Sequence, residues 1–191
     1  MKANGRLPMR GALVSSEKID ITQPFLINGN TYEVSYIDST GFQIFLQPSN
    51  ETEAPVRGLT APNFQATDLE GNEHNLHSYF GEPVLLEFWS KYCPYCKEVR
   101  PDLNQLQEEY CEDFTLMTMA RETDRNELKE HLKKNPKQGI FVLRNDEAWN
   151  TFNPITATPT FYLIDSDGTI KMKGIGAEKI EVVEKMLQNL L

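Results

Sequence analysis

The segment from Val84 to Pro101 constrains the fold more than any other part of the sequence. It begins with an apolar run, 84–89, that predicts a buried strand, and a helical pattern starts just after Cys93. Cys93 and Cys96 therefore form a C-x-x-C motif where a strand passes into a helix. Unpaired backbone N–H groups at a helix start stabilise a thiolate, which is the reactive form of cysteine. The sequence thus predicts Cys93 as a nucleophile, with Cys96 one helical turn deeper and close enough to form a disulfide.

Beyond the motif, short apolar runs alternate with stretches of helical spacing. Pro101 should bend the helix that carries the cysteines, because proline removes a backbone hydrogen bond. Asp124 is a predicted N-cap for the next helix, with Glu127 three residues later. Further strands are predicted at 114–120, 140–143, 160–164 and 169–173, and further helices at 147–152 and 180–190. This order predicts an α/β fold with a mixed central β-sheet and helices on both faces.

The first part of the chain, 1–57, is predicted to form a separate β-rich extension of unknown role. An Asn28-Gly29 pair between two apolar stretches predicts a hairpin, and a third strand at 42–47 would complete a three-stranded meander. The polar, proline-bearing stretch 48–55 is a predicted linker. The main domain is therefore placed at 58–191.

Charge and hydropathy exclude several classes of protein. The formal net charge of −9 argues against a nucleic-acid partner, since binding phosphates requires a basic face. Three cysteines are too few for a disulfide-stapled secreted domain. No run is apolar enough for a signal peptide or a transmembrane segment, so a soluble, cytoplasmic protein is the default expectation. An extracytoplasmic or periplasmic location would require a leader or anchor that this sequence lacks.

The residues around the cysteines are recognisable as a known pattern. The segment 88–97, followed by Pro101, resembles the active-site helix of the thioredoxin superfamily. Three more segments narrow the resemblance to the TlpA/ResA-like branch, of the redoxin or AhpC-TSA type: 58–64, 68–71 and 157–168. The resemblance covers roughly residues 58–191 and implies a thioredoxin-like fold for them. Residues 1–57 match no family that we can name.

This resemblance implies a thiol-disulfide oxidoreductase whose redox centre is the Cys93–Cys96 disulfide, with no other cofactor and no metal. It implies protein thiols or disulfides as substrates, a reducing direction and a thiol electron donor. Glu87 falls where relatives carry a buried carboxylate beneath the disulfide, and it is the predicted proton acceptor for Cys96. Pro159 is implied to be a cis-proline facing the disulfide. The predicted substrate contacts are Trp89, Tyr92, Pro94, Tyr95, Thr158 and Pro159, with Thr158 pairing through its backbone.

One departure from the family pattern concerns the two residues between the cysteines. Members of this branch often carry proline directly before the second cysteine, whereas here Pro94 follows the first and Tyr95 precedes the second. That dipeptide is more usual in glutaredoxins. Because the intervening dipeptide tunes the reduction potential, the direction of electron flow stays open at this point.

Two other functions remain open on the sequence. A peroxiredoxin-like thiol peroxidase is one, because Ser90 is suitably placed before Cys93, although Leu86 stands where a peroxiredoxin has proline. The other is a non-enzymatic partner-binding module built on the β-meander.

Several side chains also have ordinary structural interpretations. Glu87 could pair with Lys91, and Cys111 could be a packed apolar residue rather than a third redox group. A zinc site would need two ligands beyond the C-x-x-C pair, for which the candidates are Cys111, His74, His77 and His131. The lysines at 129, 133, 134 and 137 are predicted to form a solvated helix end.

Overall fold

The computed structural model describes residues 23–41, 43–152, 155 and 157–191. The strands are β1 (Phe25–Ile27), β2 (Asn30–Ile37), β3 (Ile44–Pro48), β4 (Gln65–Thr67), β5 (Glu73–Asn75), β6 (Val84–Trp89), β7 (Thr115–Ala120), β8 (Ile140–Val142), β9 (Thr160–Ile164) and β10 (Ile170–Ile175). The helices are α1 (Pro94–Glu98), α2 (Arg100–Glu109), α3 (Arg125–Lys134), α4 (Asp146–Thr151) and α5 (Ile180–Gln188). Short 3₁₀ helices occupy Leu76–Tyr79 and Ala177–Lys179.

The predicted meander is present as an antiparallel sheet in the order β1-β2-β3. The turn between β1 and β2 is the predicted Asn28-Gly29 pair, and both residues have positive φ, 52° and 78°. Such a turn follows the right-handed twist of the two strands, which explains why this dipeptide predicts a hairpin. The predicted third strand starts later than expected, at Ile44. Residues 1–22 and Phe42, which the predicted extension includes, lie outside the described residues.

The stretch 48–55 is not a free linker, which corrects the sequence interpretation. The Ala54 N–H donates to the carbonyl oxygen of Thr60 over 3.1 Å, and the Thr60 N–H donates to the carbonyl oxygen of Thr52 over 3.1 Å. The Ala54 side chain is buried. A few residues later, the Gly58 N–H donates to the carbonyl oxygen of Ile170 over 2.8 Å. Backbone hydrogen bonds therefore tie this stretch to the larger sheet; the boundary near residue 57 stays a prediction.

The central sheet has the order β10-β9-β6-β7-β8 and is mixed, as predicted. β6 pairs in parallel with β7 and antiparallel with β9, and β7 pairs in parallel with β8. A strand with neighbours on both edges and helices on both faces has no side exposed to water. All six residues of β6 are accordingly buried, which explains why five of the six are apolar.

Alternate residues of β6 contribute to different parts of the core. Leu85 packs with Leu103 of α2 and Val183 of α5 on one face, while Phe88 packs with Phe152, directly after α4, on the other. The period of two in the strand places these side chains on opposite faces. One consequence is that Glu87 points to the same face as Leu85.

Two local predictions from the sequence are confirmed. The helix that carries the cysteines is interrupted at Val99, between α1 and α2, and Pro101 is the second residue of α2. Asp124 precedes α3, where its carboxylate accepts a 2.9 Å hydrogen bond from the Glu127 N–H. Each residue acts within its own helix, so sequence alone was sufficient to locate both features.

Candidate active site

Cys93 lies at the end of the β6 strand-to-helix turn, directly before α1. Its sulfur accepts a hydrogen bond from the Cys96 N–H over 3.2 Å, so Cys93 acts as the N-cap of the helix. The Cys93 thiol also contacts the carbonyl oxygen of Thr158 over 3.0 Å. The side chain is half-buried, and a substrate can therefore reach its sulfur from one side.

Cys96 lies one turn further along α1 and is fully buried. It packs with Trp89 and Leu128 in an apolar cluster. Burial, and then the contact with Cys93, raise the pKa of the Cys96 thiol. Both cysteines are free thiols. Cys93 is thus accessible, as an attacking cysteine must be, whereas Cys96 is buried beside it, as expected of a resolving cysteine.

Thr158 and Pro159 precede β9, which pairs with β6 and so brings them to the C-x-x-C motif. The Thr158–Pro159 peptide bond is cis, as the resemblance implied. Thr158 is half-buried and Pro159 is buried. Of this pair, Thr158 is therefore the more exposed residue, and its carbonyl oxygen contacts Cys93.

Glu87 is fully buried within β6. Its Oε2 atom forms an ion pair with Arg100 of α2 and accepts a 3.0 Å hydrogen bond from the Thr118 hydroxyl group. Its Oε1 atom is also buried and has no hydrogen-bond partner among the residues that the structure describes. The alternative pairing with Lys91 is wrong, because the Lys91 amine forms an ion pair with Glu127 of α3 instead.

Trp89 does not fit the predicted substrate contact, because its side chain is fully buried. Its ring centroid lies 5.7 Å from that of His131 and 6.1 Å from that of Phe141. Trp89 is the last residue of β6, which is covered on both faces. The indole therefore forms part of the floor beneath Cys96 rather than part of the surface around Cys93.

The other predicted contacts do lie at the surface. Tyr92 and Tyr95 expose 72% and 60% of their side chains, and Pro94 between them is exposed. The Tyr92 hydroxyl group donates a 3.1 Å hydrogen bond to Glu127, and the Lys91 amine lies 4.6 Å from the Tyr92 ring centroid. These contacts hold one ring of the exposed pair in place next to the nucleophile.

The sequence interpretation missed two ionisable residues at this site. The first is Arg100, the partner of Glu87. Because it lies four residues after Cys96, helical spacing indicates that the two side chains lie on the same side of the helix. Lys137 was assigned to a solvated helix end, which is wrong. The helix ends at Lys134, and the Lys137 amine is buried over the Trp89 ring, 3.8 Å from its centroid.

The zinc candidates are engaged elsewhere. His74 contacts Asp68 over 3.1 Å, and His77 contacts the carbonyl oxygen of Ala61 over 2.8 Å. Cys111 is exposed just after α2, so its interpretation as a packed apolar residue is wrong. Within the described ranges, no three His, Cys, Asp or Glu side chains are grouped as metal ligands would be. None of the helices within those same ranges is long and apolar enough to cross a bilayer.

Comparison with known proteins agrees with this geometry. The model of the AhpC/TSA family matches residues 58–173. Thiol-disulfide oxidoreductase ResA from Geobacillus kaustophilus (strain HTA426) is 30% identical over 155 residues, which are 78% of this chain and 87% of the relative. ResA from Bacillus cereus (strain ATCC 10987 / NRS 248) is 31% identical over 157 residues, or 80% and 88% of the two chains.

Solved structures show the same fold. A thiol:disulfide interchange protein of the thioredoxin family from Chlorobium tepidum TLS superposes with a TM-score of 0.63 at 22% identity, over 70% of this chain and 97% of that one. The thioredoxin domain of a thiol-disulfide oxidoreductase from Bacteroides vulgatus gives a TM-score of 0.60 at 24% identity, over 69% and 97%. The family model spans more than half of the chain, and the two ResA relatives are 30% and 31% identical over more than three quarters of it. The chain therefore belongs to the AhpC/TSA family and, within it, to the ResA-like thiol-disulfide oxidoreductases.

Proposed function

We propose that this protein reduces disulfide bonds in other proteins and is returned to its dithiol form by a thiol electron donor. The Cys93 thiolate attacks a substrate disulfide, forms a mixed disulfide and releases one substrate thiolate. The Cys96 thiolate then attacks the Cys93 sulfur, which forms the Cys93–Cys96 disulfide and releases the second substrate thiolate. Two electrons pass to the substrate, and its sulfur atoms take up protons.

The observation that carries the reducing direction is the contact between the Cys93 sulfur and the Thr158 carbonyl oxygen. A carbonyl oxygen can only accept a hydrogen bond, so this contact suits the protonated thiol rather than the thiolate. Strongly oxidising members of this chemistry owe their potential to a highly stabilised reduced form. In such members the attacking cysteine of the reduced form is a thiolate of low pKa. The lone pairs of the Thr158 carbonyl oxygen repel a thiolate at 3.0 Å, so the contact supports a reductant.

The surface around Cys93 supports a protein as the substrate. Tyr92 and Tyr95 lie close to Cys93 in the chain and are exposed, and the half-buried Thr158 contacts the Cys93 sulfur through its carbonyl oxygen. Exposed tyrosines are frequent in protein interfaces, because they bury a large apolar area and lose little conformational entropy. We propose that these residues and Pro94 bind the polypeptide that flanks the substrate disulfide.

The reduction potential of the Cys93–Cys96 couple tests the proposed direction. We expect a value near or below about −250 mV, in the range of thioredoxin. Equilibration in dithiothreitol redox buffers, followed by counting of free thiols, measures it. The protein should carry Cys111→Ser, because the exposed third thiol would otherwise be counted as well. A value of about −120 to −180 mV would identify an oxidant or isomerase instead.

Replacing Tyr92 and Tyr95 together with alanine tests the proposed binding surface. We expect KM for a protein disulfide to rise about tenfold, which corresponds to about 1.4 kcal/mol of lost binding. The rate with a small aromatic disulfide should stay within about twofold, because that reagent needs only access to the sulfur. An equal loss with both substrates would show that the rings act on Cys93 itself.

A further inference from the structure

Lys137 lies in the connection between α3 and β8 and turns its side chain inward. Its amine is buried and has no hydrogen-bond partner among the residues that the structure describes, although the residue as a whole is half-buried. Lysine ordinarily buries its aliphatic stem and leaves the amine in water. The reverse arrangement at Lys137 costs solvation of the amine, and the established fold gives no reason for it.

The surroundings of this amine are the active-site cluster. Its nitrogen lies 3.8 Å from the centroid of the Trp89 ring, and Trp89 packs with Cys96. Burial, and then the positive charge of Arg100, lower the pKa of the Lys137 amine to about 7, while Glu87 and Cys96 act in the opposite direction. The ionisable groups that interact with the amine are Glu87 of β6, Cys96 and Lys97 of α1, Arg100 of α2 and His131 of α3.

Cys96 needs a positive charge nearby in order to react. It must lose a proton before it can attack the mixed disulfide, and burial raises the pKa of its thiol. Arg100 cannot supply the charge, since it already pairs with Glu87. The Lys137 amine has no anionic hydrogen-bond partner within the described part of the chain, and it can therefore take up a proton when the thiolate forms.

We propose that Lys137 is a positioning residue for the resolving step, in which its amine takes up the proton that Cys96 loses and the resulting ammonium group offsets the thiolate. This inference rests on the dithiol exchange proposed above. In this step the Cys96 thiol gives up one proton and the Lys137 nitrogen takes up one, so the buried cluster gains no net charge. The thiolate then bonds to the Cys93 sulfur, the bond from Cys93 to the substrate breaks, and the substrate thiolate takes a proton from water. Lys137 finally returns its proton to solvent.

The two steps can be timed separately with dithiobis(nitrobenzoate), used in a limiting amount against the reduced Cys111→Ser protein. Release of the first nitrobenzoate thiolate reports the attack by Cys93, and release of the second reports resolution by Cys96. The amine and the thiol share one proton, so the resolution rate should rise with pH and level off above about pH 7. We expect the resolution rate of Lys137→Met to be at least about tenfold lower than that of the parent at pH 7. This rate should rise about tenfold per pH unit without levelling off.

A second variant separates charge from proton uptake. Lys137→Arg keeps a cation that cannot lose its proton, so its resolution should be faster than that of Lys137→Met but should also rise without a plateau. Glu87→Gln removes a negative charge that raises the pKa of the Lys137 amine but leaves the amine in place, so the plateau should remain and should begin at a lower pH. Lys134→Met, which changes an exposed lysine at the end of α3, should match the parent.

Stability measurements exclude a merely structural role. Lys137→Met replaces a buried amine that has no hydrogen-bond partner in the described part of the chain with an apolar side chain of similar length, so its thermal midpoint should equal or exceed that of the parent. A Lys137→Met protein that resolves at the parental rate and keeps the plateau would overturn the proposal, and so would one whose slow resolution merely accompanies a lowered midpoint. Absence of the first release in the parent would instead overturn the proposed exchange chemistry.

Discussion

Replacing Cys96 with serine should leave a protein that attacks a disulfide once and cannot complete the reaction. Cys93 keeps its place before α1 and its access to solvent, so the first step should proceed at a rate within about threefold of the parent. The mixed disulfide then accumulates, because serine cannot displace the substrate. Mass spectrometry of the Cys96→Ser, Cys111→Ser protein should find one substrate molecule bound through Cys93.

Replacing Cys93 with serine should lower the rate of the first step far more than replacing Cys96 does. In Cys93→Ser, the remaining thiol of the pair is the fully buried Cys96, which can react only when the local structure opens. An opening free energy of about 4 kcal/mol would slow the reaction roughly 10³-fold. The comparison uses Cys111→Ser as its background, because Cys111 is exposed. If Cys93→Ser reacted as fast as its background, Cys96 rather than Cys93 would be the attacking thiol.

Replacing Arg100 with methionine should be the most destabilising single change at the site. Arg100 and Glu87 are both buried and form an ion pair, so the variant leaves the Glu87 carboxylate without its counter-charge. Breaking a buried pair from one side costs about 3–5 kcal/mol. In a chain of this size, each kcal/mol lowers the thermal midpoint by about 2–4 °C. Calorimetry or denaturant unfolding measures the loss.

A double variant distinguishes lost charge balance from lost packing. Glu87→Gln combined with Arg100→Met removes both charges and retains an acceptor for the Thr118 hydroxyl group. It should recover most of the stability that Arg100→Met loses. Arg121→Met, at an exposed position after β7, should change stability by less than about 0.5 kcal/mol. If the double variant is no more stable than Arg100→Met, the stability that Arg100→Met loses is due to packing rather than to charge.

Features that depend on neighbouring residues in the chain could be predicted from the sequence. The Asn28-Gly29 turn, the Asp124 cap and the position of Cys93 each follow from a few adjacent residues and the rules for one turn or helix end. The mixed sheet followed from the order of apolar runs, because connection rules leave few ways to arrange them. The burial of Glu87 followed from the family resemblance, because relatives carry a buried carboxylate at this place.

The features that could not be predicted depend on how distant elements pack. Glu87 pairs with Arg100 of α2 rather than with the nearer Lys91, because α2 lies against that face of β6 and Lys91 turns towards α3. The substrate contact of Trp89 was implied by the family resemblance, yet helices cover both faces of its strand and its side chain is fully buried. Lys137 looks like the lysines of α3, and only the fold of the connection to β8 turns its amine inward.

The position of β9 beside β6 has a consequence for how the protein is made. During translation β6, β7 and β8 are synthesised before β9. The edge of β6 that pairs with β9 therefore stays open until residues 160–164 have been synthesised. The carbonyl group of Thr158 that faces Cys93 arrives at the same late stage, 65 residues after that cysteine. Domains fold as units during synthesis, and open strand edges expose a nascent chain to aggregation. For much of its translation the polypeptide therefore carries the thiols of the C-x-x-C motif unprotected, and the active site is completed only when the final strands emerge.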